Sequence, residues 1–238
     1  MALILVRLLC LFFLLGSTLV AAPHHFGSAL TRTHLLELYT SEGCSSCPPA
    51  EAWLGRLREE PGLWRDFVPV AFHVSYWDRL GWRDRFARSQ FTERQYAYAS
   101  AWRSDSVYTP AFVLDGREWR QRGGPPAASA EPAEKLTLDF TDNGQCVVDF
   151  SASGELDVTV ALLGGGIESA VKAGENAGRT LPHDFVVLRL ETAPLVAGKA
   201  TLTLVSPSDA GVRRHALAAW VTRRGELTPL QAAGGWLE

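Results

Sequence analysis

Cys44-Ser45-Ser46-Cys47 is the stretch of this sequence richest in chemistry. Two thiols separated by two residues can close on each other, so a mixed disulfide formed at one sulfur can be resolved by the other. Position adds to spacing. The pair follows the apolar run Leu35-Leu36-Glu37-Leu38-Tyr39 and precedes Ala50, Trp53, Leu54 and Leu57 at helical spacing. That pattern reads as a buried strand, a loop and a helix. A sulfur at a helix start faces unpaired backbone N–H groups and the positive end of the helix dipole. Both favour the thiolate, the species that attacks a disulfide. On this reading Cys44, the more exposed of the two, is the nucleophile and Cys47 resolves. Pro48 and Pro49 carry no N–H and thin out the donors of the first turn.

Two other readings stay open for the same pair. One is a static disulfide, which an oxidising compartment permits, although so short a loop restrains little of the unfolded chain. The other is a Cu(I) site built from Cys44, Cys47 and a histidine such as His73, because soft thiolates suit that ion. A closed zinc site takes four ligands, and the sequence has no second C-x-x-C. No metal ligand set is therefore assigned, and the exchange reading needs no dissociable cofactor.

The elements that must position the pair follow from periodicity. Residues 67–77 read as a central strand, with Val68, Val70, Phe72 and Val74 on one side and Ala71 and His73 on the other. Thr92 and Gln95 form a capping-box pattern for a helix running to about Trp102. Residues 111–114 and 117–120 make a hairpin around Asp115-Gly116. Residues 123–134, rich in Pro, Gly and Ala, read as a linker. Beyond it the period becomes two: Leu136, Leu138 and Phe140, then Cys146, Val148 and Phe150, then Leu156, Val158, Val160 and Leu162. Further strands are expected at 185–190, 200–206 and 215–222, which together read as an antiparallel sandwich. Cys146 alternates with apolar residues and reads as an inert buried thiol.

Arg7 ahead of the apolar residues 8–15, then Gly16, Ser17, Ala21 and Ala22, has the order of a secretory signal peptide over residues 1–22. The expected location is therefore extracytoplasmic, periplasmic or secreted, with no stable membrane insertion once the leader is cut. Residues 23–34 are expected to be a flexible lead-in. The hydrophobic content of 47% and charged content of 21% describe a globular chain, and the net charge of −3 argues against a nucleic-acid partner.

Residues 35–57, His73-Val74-Ser75-Tyr76-Trp77-Asp78, residues 91–95, Tyr108-Thr109-Pro110 and residues 174–180 resemble the exported domain-of-unknown-function 1223 family. The resemblance implies a thioredoxin-like fold. It also implies a longer terminal helix near 123–135, which Pro125, Pro126 and Pro132 interrupt here. Similarity to thioredoxins further implies that Thr109-Pro110 is a cis-proline step facing the cysteines and presenting backbone to a client. It implies equally that Glu37 is a buried acid able to move protons to Cys47, the alternative being a strand-end glutamate that faces solvent or makes a salt bridge. Trp77, with Tyr76 and Trp82, is expected either to line a client groove or simply to pack. Residues 174–180 have the polarity of a functional loop, or of a connection docking two domains.

The resulting expectation is an α/β thioredoxin-like domain (35–122) followed by an all-β antiparallel sandwich-like domain (135–238). The expected function is an extracytoplasmic thiol–disulfide oxidoreductase acting on a protein thiol or disulfide client, with an unidentified redox partner. Cys44, Cys47 and Glu37 are the candidate catalytic residues, and Thr109, Pro110 and Trp77 the candidate client-binding ones. The alternative is a non-enzymatic thioredoxin-like module that binds Cu(I) or a protein partner.

Overall fold

Leucines at 35, 36 and 38 and the run 67–73 leave no polar face, and a strand of that kind is stable only inside a sheet covered on both sides. The structure, a computed structural model, describes residues 23–120, 123–205 and 211–237. Its first half contains β1 (His24–Gly27), β2 (His34–Thr40), α1 (Pro48–Arg56), β3 (Phe67–His73), α2 (Ser89–Trp102), β4 (Ala111–Leu114) and β5 (Arg117–Glu118). The second half is all strand: β6 (Leu136–Phe140), β7 (Gln145–Phe150), β8 (Leu156–Gly165), β9 (Ile167–Ala170), β10 (Thr180–His183), β11 (Val186–Pro194), β12 (Lys199–Thr203), β13 (Arg214–Arg223) and β14 (Pro229–Leu237).

The expected α/β thioredoxin-like domain followed by a separate all-β sandwich is overturned. The chain is mostly strand, with two α-helices among the described residues. An eight-stranded mixed sheet runs β14-β13-β8-β11-β3-β2-β4-β5 and draws on both regions. β2 and β3 are parallel, β4 is antiparallel to β2, and β11 joins the free edge of β3 where Val186 pairs with Ala71. Periodicity identifies a strand but not the edge it completes, and here the edge of β3 is completed by a strand from the second region. Residues 123–134 form no helix; Arg32 and Ala133 donate backbone hydrogen bonds to Glu131 and Leu30, tying this stretch to residues 30–32.

A four-stranded antiparallel sheet, β1-β6-β7-β12, covers one face of the large sheet. Val158, Val160 and Leu162 of β8 and Leu217, Ala219 and Val221 of β13 meet Leu136, Leu138, Val148 and Phe150 there. Cys146 is sealed in this layer, and burial pushes its thiol up to about 12. On the opposite face Trp220 meets Phe72, which also packs on Phe91 of α2. The lead-in expected to be flexible is instead strand β1, paired with β6. Gly235 explains why: a Cβ there would lie 2.3 Å from the Phe26 ring, so its absence opens the slot that Phe26 occupies. The expected leader, residues 1–22, lies outside the described residues, among which no helix is long and apolar enough to cross a membrane.

Two local expectations change. Helix α2 starts at Ser89, a turn before the supposed cap, and Arg88 provides no side-chain cap. Thr92 instead accepts the Ser75 N–H, while the Gln95 amide donates to the Tyr108 carbonyl. Tertiary partners have taken both side chains of the capping box. The hairpin at Asp115-Gly116 forms as expected, with positive φ at both residues, and β5 is shorter than expected.

Glu37 is fully buried on the α2 face of β2. Arg94 of α2 binds both its carboxylate oxygens, at 2.8 and 3.0 Å, and the hydroxyls of Tyr39 and Tyr98 donate at 2.9 and 2.5 Å. Burial disfavours the charge on Arg94, but Glu37 outweighs it and holds the guanidinium firmly protonated. Removing one partner strands the other charge in the core, which costs about 3–5 kcal/mol. Arg94→Met should therefore unfold at a markedly lower urea concentration than the parent protein, and Glu37→Leu/Arg94→Met should recover much of the loss. Equal stability of Arg94→Met and the parent would refute the role given to this pair.

Candidate functional site

Cys44 and Cys47 form a disulfide, with their Cα atoms 5.4 Å apart. Local backbone bonds wind the segment: Cys44 N–H donates to the Ser41 carbonyl, Cys47 N–H to Cys44, and Ala50 and Glu51 N–H to Cys47. Cys47 thus stands at the start of α1, as expected, with Pro48 and Pro49 in its first turn. The surroundings of the sulfurs differ from expectation. Both cysteines are completely buried, so Cys44 is not the more exposed one. The amides expected to aim at its sulfur are largely committed. Ser45 N–H donates to a Glu175 carboxylate oxygen at 3.0 Å, Cys47 N–H is used locally, and the two prolines have none. Ser46 Oγ lies 3.4 Å from Cys44 Sγ.

The 174–180 stretch holds the backbone of the cysteine loop. Asn176, itself fully buried, donates both amide hydrogens, one to the Glu42 carbonyl at 2.9 Å and one to the Cys44 carbonyl at 3.0 Å. Arg179 in turn fixes the Asn176 side-chain oxygen at 2.7 Å. Gly174, at φ +75°, sits against Trp82, where a Cβ would come within 3.2 Å of the Trp82 Cβ. This stretch is therefore a clamp on the cysteine loop.

The candidate client-side residues are partly brought together. Thr109–Pro110 is a cis bond. Trp77 is half-buried, its indole N–H donates to Thr109 Oγ1 at 2.8 Å, and its Cβ lies against Gly43, so it braces the loop from the other side. Pro110 shares an open cleft of about 260 Å³ with Ser46, Pro49, Ala50, Trp53 and Trp119. Glu37 is not part of this arrangement. Its hydrogen-bond partners are Tyr39 on its own strand and Arg94 and Tyr98 on α2, whereas α1 meets the opposite face of β2 through Thr40. A proton shuttle from Glu37 to Cys47 finds no support in these bonds.

Behind the cysteine loop lies a buried ionic cluster that the sequence did not reveal. His73 Nδ1 meets Asp84 at 2.7 Å, and Asp84 also accepts the N–H groups of Glu42 and Phe86. His183 Nδ1 hydrogen-bonds Glu51, and its Nε2 faces Glu42 at 3.4 Å. Thr40 holds the other Glu51 oxygen and the Trp82 indole the other Glu42 oxygen, each at 2.6 Å. Burial opposes charge on all five groups, yet their mutual attraction wins. Asp84 is held down at about 2 and His183 is raised to about 10, with Glu42 and Glu51 lowered and His73 raised.

The family model described as Protein of unknown function (DUF1223) matches residues 35–222. The chain belongs to that family. Among solved structures it is similar to protein AGR_C_4864 from Agrobacterium tumefaciens, at 25% identity over 87% of this chain and 94% of that one, with a TM-score of 0.61. HBP35 of Porphyromonas gingivalis is 14% identical over 88% of this chain and 76% of that one, with a TM-score of 0.59, a likeness of fold alone. No curated protein matches.

Within this DUF1223 chain, Glu51 had a legible signal: it lies four residues after Cys47, on the inner face of α1. Asp84, Asn176 and His183 had none, because what matters about them is contact across the fold. The clamp yields a prediction. Asn176→Ala loses two hydrogen bonds from a buried position, worth about 1–3 kcal/mol together with the carbonyls they leave unpaired. Since about 1.4 kcal/mol is tenfold in an equilibrium, dithiothreitol should reduce the Cys44–Cys47 bond roughly tenfold faster in the variant. An unchanged rate would show that residues 174–180 do not control access.

Proposed function

We propose that the chain is an extracytoplasmic thiol–disulfide oxidoreductase acting on protein thiols. The observation that carries this reading is a disulfide at the start of α1, next to an open cleft shared by Ser46 and Pro110. A disulfide and the leader-like order of residues 1–22 both fit a compartment outside the cytoplasm. Cleft walls of Trp53, Trp119 and Pro110 suit an extended, partly apolar segment of a client.

The exchange runs in two displacements. A client thiolate attacks Cys44 Sγ, the Cys44–Cys47 bond breaks, and Cys47 leaves as thiolate. A second client thiolate then attacks the client sulfur of the mixed disulfide and expels Cys44. The client gains a disulfide, the pair becomes a dithiol, and two electrons have passed to it; reversal reduces a client. Ser46 Oγ is close enough to offer a hydrogen to the Cys44 thiolate. Neither sulfur reaches the surface, so the cysteine loop, which Glu175 and Asn176 hold by its backbone, must open for either displacement.

That burial favours a second reading, a static disulfide in a non-enzymatic module. The reduction potential separates the two, with Cys44→Ser as the control that abolishes the couple. A value between about −270 and −120 mV fits a turning-over pair. A value below about −300 mV fits an inert bond and would rule the oxidoreductase out.

A further inference from the structure

The buried cluster behind the cysteine loop holds more polar atoms than it satisfies. Nε2 of His73 has no partner although its side chain is sealed from solvent, while Nε2 of His183 and Oε1 of Glu42 face each other at 3.4 Å without a formed hydrogen bond. Buried polar groups are normally paired, so each exception calls for an explanation. Glu51 of α1, His73 of β3 and His183 of β10 each offer one ligand atom, and these atoms lie within 4.8 Å of one another. The three residues are 8%, 1% and 2% exposed.

We infer that Glu51, His73 and His183 form a binding site for a first-row divalent cation, Zn²⁺ being the ion best matched to two imidazoles and a carboxylate. Zinc takes this donor set at about 2.0–2.2 Å, so the three side chains draw inward around it. His73 binds through Nε2, the nitrogen that Asp84 leaves free. His183 binds through Nδ1, which already points at Glu51, and keeps Nε2 toward Glu42. Each imidazole then carries a carboxylate on its outer nitrogen, the arrangement that fixes the ring and raises its basicity at metal sites. Those carboxylates are themselves held, Asp84 by two backbone N–H groups and Glu42 by the Trp82 indole. Thr40 fixes the second oxygen of Glu51.

This site contains no sulfur and is separate from the Cys44–Cys47 chemistry. Three protein ligands leave a fourth position for water or another small donor, as at zinc sites that are not closed. The ion also ties α1 to β3 and β10, elements that no hydrogen-bond ladder joins directly to the helix.

The test uses the whole chain with its disulfide intact, refolded with one equivalent of Zn²⁺ or with EDTA, then dialysed and analysed for bound metal. One Zn²⁺ per chain is expected, and it should remain in Cys44→Ser/Cys47→Ser. Asp84→Asn should keep the stoichiometry and weaken affinity about 10–100-fold, the usual effect of losing an outer carboxylate. Glu51→Gln and His183→Gln should lose the ion, with folding checked by circular dichroism. Should those variants not fold, Co²⁺ in the parent chain decides: a visible spectrum of low-coordinate nitrogen–oxygen ligation is expected. No bound metal, loss of metal in the cysteine double variant, or a thiolate-to-Co²⁺ charge-transfer band would each overturn the site.

Discussion

A carboxylate carried into the interior by the first helix needs a partner, and the partner comes from 132 residues away. Glu51 lies on the buried face of α1 and meets His183 at the end of β10. An isolated ion in that position would be strongly disfavoured, and pairing it requires the two regions of the chain to close on each other. The cysteine loop precedes α1 directly, so its place in the molecule is set by the same closure.

The large sheet repeats this logic on its other face. Glu37 is buried even more deeply than Glu51, but it faces α2 and is answered by Arg94, Tyr39 and Tyr98. Two buried acids on opposite sides of β2 therefore anchor the two helices to the sheet. This division turns the hydrogen bonds of Glu37 toward α2. Its hydrogen bonds come from α2 and from Tyr39 of its own strand, and groups near the disulfide come from the 174–180 clamp and the loop around Trp82.

The clamp also changes the electrostatic setting of the cysteines. A helix start offers free N–H groups to an anion, yet here Glu175 occupies one, the local turn another, and prolines remove two more. Ser46 remains as a near donor to Cys44. The oxidised pair is thus a buried bond in a loop held by the clamp, with few helix-start N–H groups left free.

Sequence by itself determined both helices and most strands, though not β1, β9, β10 or β14, and placed the cysteine pair between β2 and α1. Apolar period, turn residues and prolines are local signals, and they act through backbone geometry that each segment carries with it. The family resemblance was legible for the same reason, in contiguous motifs such as residues 73–78 and 108–110. Tertiary structure decided that β11 completes the edge of β3, that residues 24–27 pair with β6 instead of staying loose, and that Thr92 and Gln95 bind neighbours instead of capping α2. It also decided the burial of Cys44 and the assembly of Glu42, Glu51, His73, Asp84 and His183 into one cluster. Such choices depend on which distant group relieves a buried charge or fills an edge, and no local pattern carries that information.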